Sequence, residues 1–124
     1  MTKVLIVEDD FALSENLQSL LKAKGFEVEA APDGPAGIAA ARKFLPDLVL
    51  LDIMIPKLSG FEVCRTLRSE EATKGIKILM TTGLDRMADV EKAFSSGAAD
   101  YLVKPFDSER LLKKIKKVLG RDTP

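Results

Sequence analysis

LVLLDIMIPKLSGFEV, residues 48–63, opens with four consecutive aliphatic residues and then meets one carboxylate, Asp52. An unbroken aliphatic run is the pattern of a strand buried on both faces, as in a parallel sheet covered by helices. A lone buried carboxylate is costly unless a cation or hydrogen-bond donors meet it. The rest of the chain is therefore expected to bring such groups to Asp52.

Outward from this run, apolar β-branched stretches alternate with helical patterns to both ends of the chain, the order of a parallel sheet with crossover helices. KVLIV (3–7) reads as the first strand. A helix follows from about Asp10 to Lys24, with Leu13, Leu17, Leu20 and Leu21 on one face and Gly25 as its stop. FEVEAA (26–31) alternates as a half-exposed second strand, and Pro35 is placed to open a helix that ends before Pro46. DLVLLD (47–52) is the third strand, after which Ser59 caps a helix running to about Ser69. IKILMTT (76–82) is the fourth strand, followed by a helix from about Asp85 to Ser96 closed by Gly97. DYLVK (100–104) is the fifth, and DSERLLKKIKKVLG forms a capped amphipathic helix. The pattern predicts one α/β domain over residues 1–124: a five-stranded parallel, doubly wound sheet with five helices on both faces.

Composition narrows the function classes. Hydrophobic residues make up 46% and charged residues 31% of 124, the balance of an ordinary globular domain with a sizeable core, and no run reaches membrane-spanning length. Lys+Arg and Asp+Glu balance at 19 each, so no global basic field recruits nucleic acid. The single cysteine, Cys64, has Phe61, Val63 and Leu67 as apolar neighbours and reads as a buried structural thiol, in keeping with a reducing cytoplasm. The N-terminus turns acidic before a secretory signal core forms. Histidine is absent, so chemistry must run on carboxylates, lysine, hydroxyls or an imported group.

Right-handed crossovers point all strands of such a sheet the same way and gather the residues after each strand on one rim, where ligands bind. Glu8 and Asp9 follow the first strand, Asp52 ends the third, Thr81 and Thr82 the fourth and Lys104 the fifth. Each has a plainer reading alone. Acids before a helix favour its N-terminus, threonines form strands, and lysines are usually solvated. Together, four strand ends carry complementary groups while the second carries none. Three carboxylates repel one another unless a cation joins them, and an all-oxygen donor set favours a hard ion such as Mg²⁺. Lys104 and a threonine hydroxyl then suit phosphoryl oxygens, so phosphoryl transfer to Asp52 uses all of these parts.

Over nearly its whole length, from VLIVEDD through LVLLDIMIPKLSGFEV and ILMTTG to GAADYLVKPF, the chain resembles the receiver domain of bacterial two-component response regulators. The resemblance implies a flavodoxin-like fold with strand order 2-1-3-4-5. It implies that Asp52 is the phosphoacceptor, that Glu8 and Asp9 hold Mg²⁺ with it, and that Met54 lends its backbone carbonyl to the ion. It also implies that Thr81 is the switch hydroxyl, that Lys104 pairs with phosphate before a cis Lys104–Pro105 bond, and that Tyr101 is the aromatic that turns inward.

The expected function is a switch, not a turnover enzyme beyond Mg²⁺-dependent self-phosphorylation and slow autodephosphorylation. A sensor histidine kinase or histidine phosphotransfer protein donates the phosphoryl group, and an output protein reads the changed surface. No direct nucleic-acid or membrane contact is expected; the chain is expected to be a cytoplasmic monomer, dimerising at most on phosphorylation. Two alternatives come from other classes. An aspartyl-phosphate hydrolase usually has a second Asp two residues past the nucleophile, where this chain has Met54. A flavodoxin-like cofactor binder needs a Ser/Thr/Gly-rich loop where this chain has VEDDFAL. On the last helix, Arg110, Lys113, Lys114, Lys116 and Lys117 read either as a solvated face or as a docking surface for an acidic partner.

Overall fold

The computed structural model describes residues 1–83 and 88–121. Among these residues five strands and five helices alternate: β1 (Lys3–Val7), α1 (Phe11–Ala23), β2 (Glu27–Ala31), α2 (Gly34–Phe44), β3 (Leu48–Asp52), α3 (Gly60–Ser69), β4 (Lys77–Gly83), α4 (Val90–Ser95), β5 (Asp100–Lys104) and α5 (Ser108–Leu119). All strand pairs are parallel, in the order β2-β1-β3-β4-β5. The expected start of the fourth helix at Asp85 lies outside the described residues.

Strand alternation sorts the core into two layers. Leu5, Val7, Val49, Leu51, Ile78 and Met80 face α2, α3 and α4, packing on Ile38, Phe44, Phe61, Leu67 and Ala93. Val4, Ile6, Leu48, Leu50, Leu79 and Leu102 face α1 and α5, packing on Leu17, Leu21, Leu111 and Ile115. Both faces of β3 are thus covered, which is why all five of its residues are buried. Each fully buried Leu or Ile contributes about 1.5–3 kcal/mol from burial. Cys64 lies inside the first layer, a structural thiol as expected.

Local chemistry sets the helix ends. Asp10 caps α1 through the Leu13 amide, Asp33 caps α2 through the Ala36 amide, and Asp107 caps α5 through the Arg110 amide. Ser59 and Glu62 form a reciprocal capping box on α3. Past α1 the chain reverses at Gly25, whose φ of 94° suits a residue without a Cβ. Among the described residues no helix is long and apolar enough to cross a membrane.

Candidate functional site

Because the strands are parallel, the ends of β1, β3, β4 and β5 lie on one rim. Asp52 is the last residue of β3 and lies beside Thr81 of β4 in the register. Glu8 follows β1 directly, and its amide donates to the Ala31 carbonyl at 3.1 Å, extending the β1–β2 ladder by one bond. Glu8, Asp52 and Thr81 are buried, and Asp9 is exposed. Carboxylate oxygens of Glu8, Asp9 and Asp52 lie within 4.8 Å of one another, the donors expected for a divalent cation.

Lys104 reaches this cluster from the end of β5. Its ammonium donates to Glu8 Oε1 at 2.7 Å and to Asp52 Oδ2 at 3.0 Å. Burial works against the ammonium, but the hydrogen bonds to Glu8 and Asp52 and their charges outweigh it and hold Lys104 above the usual lysine range. Burial also pushes the Glu8 carboxyl above its usual range, the Asp52 charge adds to that, and the Lys104 bond offsets only part. The Lys104–Pro105 peptide is cis. One cation thus meets two buried carboxylates, which answers the cost raised by ending a buried strand on a charge.

The loop after β3 completes the rim. The Met54 amide donates to Asp52 Oδ1 at 3.0 Å, so each Asp52 oxygen has a donor. The Met54 side chain is exposed, free of the contact its backbone makes. Gly60 returns the chain to the core: its amide donates to the Ile53 carbonyl at 2.9 Å. A Cβ there would lie 2.7 Å from the Asp52 carbonyl oxygen, so α3 begins against the backbone of Asp52 only because residue 60 is glycine.

The Tyr101 side chain lies against α4 and α5. Its half-buried ring meets Phe94 of α4 edge-on at 6.0 Å, and the Lys114 ammonium lies 5.2 Å from its centroid. The lysines of α5 are not uniformly solvated. Lys114 and Lys117 reach Asp100 at 3.1 and 3.2 Å, where burial acts to raise the carboxyl pKa but the Tyr101 amide and the two ammoniums outweigh it and lower it. The three-residue spacing of Lys114 and Lys117 signals a shared helix side; that Asp100 faces it follows only from the packing of α5 on β5. Sequence reasoning also passed over Asp33 and Lys57, which pair at 3.2 Å beside the site.

Residues 4–116 match the family model described as the response regulator receiver domain. The DNA-binding dual master transcriptional regulator RpaA of Synechocystis is 44% identical over 121 residues, 98% of this chain and 50% of that protein. The chain spans about half the length of that regulator. Chemotaxis response regulator CheY4 of Vibrio cholerae superposes with a TM-score of 0.90 at 35% identity, over 95% of this chain and 98% of that one. The receiver domain of the sensor histidine kinase PA1611 of Pseudomonas aeruginosa, described with a magnesium ion in its active-site cleft, superposes with a TM-score of 0.87 at 27% identity, over 96% of this chain and 98% of that one.

Proposed function

We propose that this chain, which belongs to the response regulator receiver domain family and is therefore a phosphorylation-dependent switch, is switched at Asp52 by a phosphohistidine on a partner protein. The observation that carries the assignment is the convergence of Lys104, Glu8 and Asp52 at adjoining strand ends, where three carboxylates supply a hard-ion donor set. The donor is a sensor histidine kinase or a histidine phosphotransfer protein, since this chain has no histidine of its own.

Glu8, Asp9, Asp52 and the Met54 carbonyl are the residues that would hold Mg²⁺, which when bound supplies charge neutralisation between the carboxylates and the incoming phosphoryl group. An Asp52 carboxylate oxygen attacks phosphorus, the P–N bond to the donor imidazole breaks, and the imidazole leaves with that bond's electron pair and is protonated. Lys104, already paired with Asp52, is in reach of the new phosphoryl oxygens. Thr81 lies beside Asp52 in the register and offers its hydroxyl to the same dianion. Drawing Thr81 toward it vacates space into which Tyr101 turns, biasing the surface formed by α4, β5 and α5 between two states. The product is a conformation that an output protein reads, with slow autodephosphorylation as the return step.

The same reading takes residues 1–124 as one cytoplasmic receiver unit, a monomer that dimerises at most on phosphorylation, and assigns no nucleic-acid contact to them; DNA binding is stated of RpaA, a protein about twice this length. The hydrolase alternative is disfavoured by Met54, which stands where such an enzyme places its acid.

The test is intact mass after incubation with Mg²⁺ and a small acyl phosphate, comparing wild type with Asp52→Asn. One phosphoryl adduct that requires Mg²⁺ and is missing from the variant supports the reading; an unmodified, folded wild type defeats it.

A further inference from the structure

The loop between β3 and α3 carries the Met54 amide that binds Asp52, yet it is fastened to a helix that contributes nothing to the carboxylate cluster. That helix is α2. The Gly34 amide donates to the Pro56 carbonyl at 3.3 Å, and the Lys57 ammonium stands 3.2 Å from Asp33 Oδ2. Leu58 packs so closely on Gly34 that a Cβ on that glycine would sit 2.6 Å from Leu58 Cβ. Asp33 serves both sides of the contact. Its Oδ1 accepts from the Ala36 amide at 2.8 Å as the cap of α2, which leaves Oδ2 for Lys57.

The loop backbone is strained where it meets α2. Lys57 has a φ of 75°, a left-handed conformation that residues with a Cβ rarely adopt and that persists where the surroundings fix it. The Lys57 side chain is itself 67% exposed, so no burial holds it there. Its contact with Asp33 and the two neighbouring anchors, Pro56 and Leu58, are what surround the strained residue.

We propose that Asp33 and Lys57 form a clasp that positions the β3–α3 loop for cation binding, which makes them positioning residues for phosphoryl acceptance at Asp52. The inference rests on the reading of Glu8, Asp9 and Asp52 as the Mg²⁺ site. A loop released from α2 samples arrangements in which the Met54 peptide leaves Asp52. Only the fraction of molecules with the loop in place binds the ion, and apparent affinity falls in proportion to that fraction.

Charge alone makes a different forecast. Lys57 lines the same groove as Asp9, so by electrostatics removing its positive charge strengthens Mg²⁺ binding, whereas removing the negative charge of Asp33 weakens it. The clasp requires both removals to weaken it.

The experiment is calorimetric titration of the chain with Mg²⁺, using wild type, Asp33→Ser, Lys57→Met and the double variant. Serine keeps a capping oxygen for α2 while losing the ion pair, and circular dichroism checks that each variant is folded. Each single variant is expected to raise the Kd about threefold or more, below the ~10–100-fold typical of a group bonded directly to a metal ligand. The double variant is expected to bind no more weakly than the weaker single one, because a clasp is broken once. A Lys57→Met that binds Mg²⁺ as tightly as wild type or more tightly, or a double variant showing the two losses added, overturns the clasp alone. A folded wild type that takes up no Mg²⁺ overturns the cation site and the clasp with it.

Discussion

The Lys104 ammonium lies 3.0 Å from Asp52 Oδ2, joining the end of the last strand to the end of the central one across 52 positions of sequence. The same ammonium holds Glu8, so one side chain offsets two buried carboxylates. Lys104→Met keeps the length of the stem and removes the charge. Deleting one partner of a buried ion pair leaves the other uncompensated, and with Lys104 partly solvated the loss is expected to be on the order of 2 kcal/mol. Urea unfolding at neutral pH measures it. Saturating Mg²⁺ is expected to recover part of the loss, because a ligand that binds only the folded state stabilises it.

Thr81 is buried beside Asp52, and Tyr101 is the sole tyrosine in a chain without tryptophan. Intrinsic fluorescence therefore reports on Tyr101 alone. Thr81→Val preserves shape and removes the hydroxyl. The variant is expected to take up the phosphoryl group at Asp52, seen by intact mass, while the change in tyrosine emission that accompanies phosphorylation of wild type disappears. A full emission change in the variant would remove Thr81 from the switch.

Gly60 lies against the backbone of Asp52 and Ile53: a Cβ would stand 2.7 Å from the Asp52 carbonyl oxygen and 2.8 Å from Ile53 Cα. Neither is the far end of a flexible side chain, so the backbone must move. Gly60→Ala is expected to destabilise the fold by about 1–3 kcal/mol, the range for overpacking a tight site, and to slow phosphoryl uptake because Asp52 moves with it. Denaturant titration and the rate of adduct formation check the two effects. Gly75, with open space around its Cβ position, is the control.

Asp100 ties α5 to β5 through Lys114 and Lys117. Despite burial, which acts to raise it, the Tyr101 amide and both lysines hold its folded pKa below the usual aspartate range. A depressed folded value means that the unfolded chain binds the proton more readily, so the stabilisation is present above the unfolded pKa and is lost as pH falls through the folded one. Asp100→Asn is expected to cost about 1 kcal/mol at neutral pH. The gap to wild type should close below about pH 4, near the unfolded aspartate pKa. Thermal melts across that range read both values; a gap that persists at low pH would assign the effect to packing.

The sheet was legible in the chain because a strand buried on both faces must be apolar throughout, as 48–51 is, and each crossover helix carries its own stops. Asp10, Ser59 and Gly25 acted where their local chemistry predicts. The rim was legible for the same reason: parallel strands end on one side, so strand direction alone places Glu8, Asp52, Thr81 and Lys104 together. Residue types and spacing along β1, β3, β4 and β5 therefore determined the fold class and the composition of the site.

Tertiary structure alone decided which charges meet. The strand order 2-1-3-4-5 came with the family resemblance, since periodicity says which residues form strands but not which strands are neighbours. The lysines of α5 look alike in sequence; Lys114 and Lys117 meet Asp100 only because α5 packs over β5. Asp33 and Lys57 lie 24 positions apart in separate loops, and their pairing follows from the approach of Leu58 to Gly34. Patterning records which side of an element is apolar, a property of a few neighbouring residues. Ion pairs between loops depend on distances set by the whole packed core.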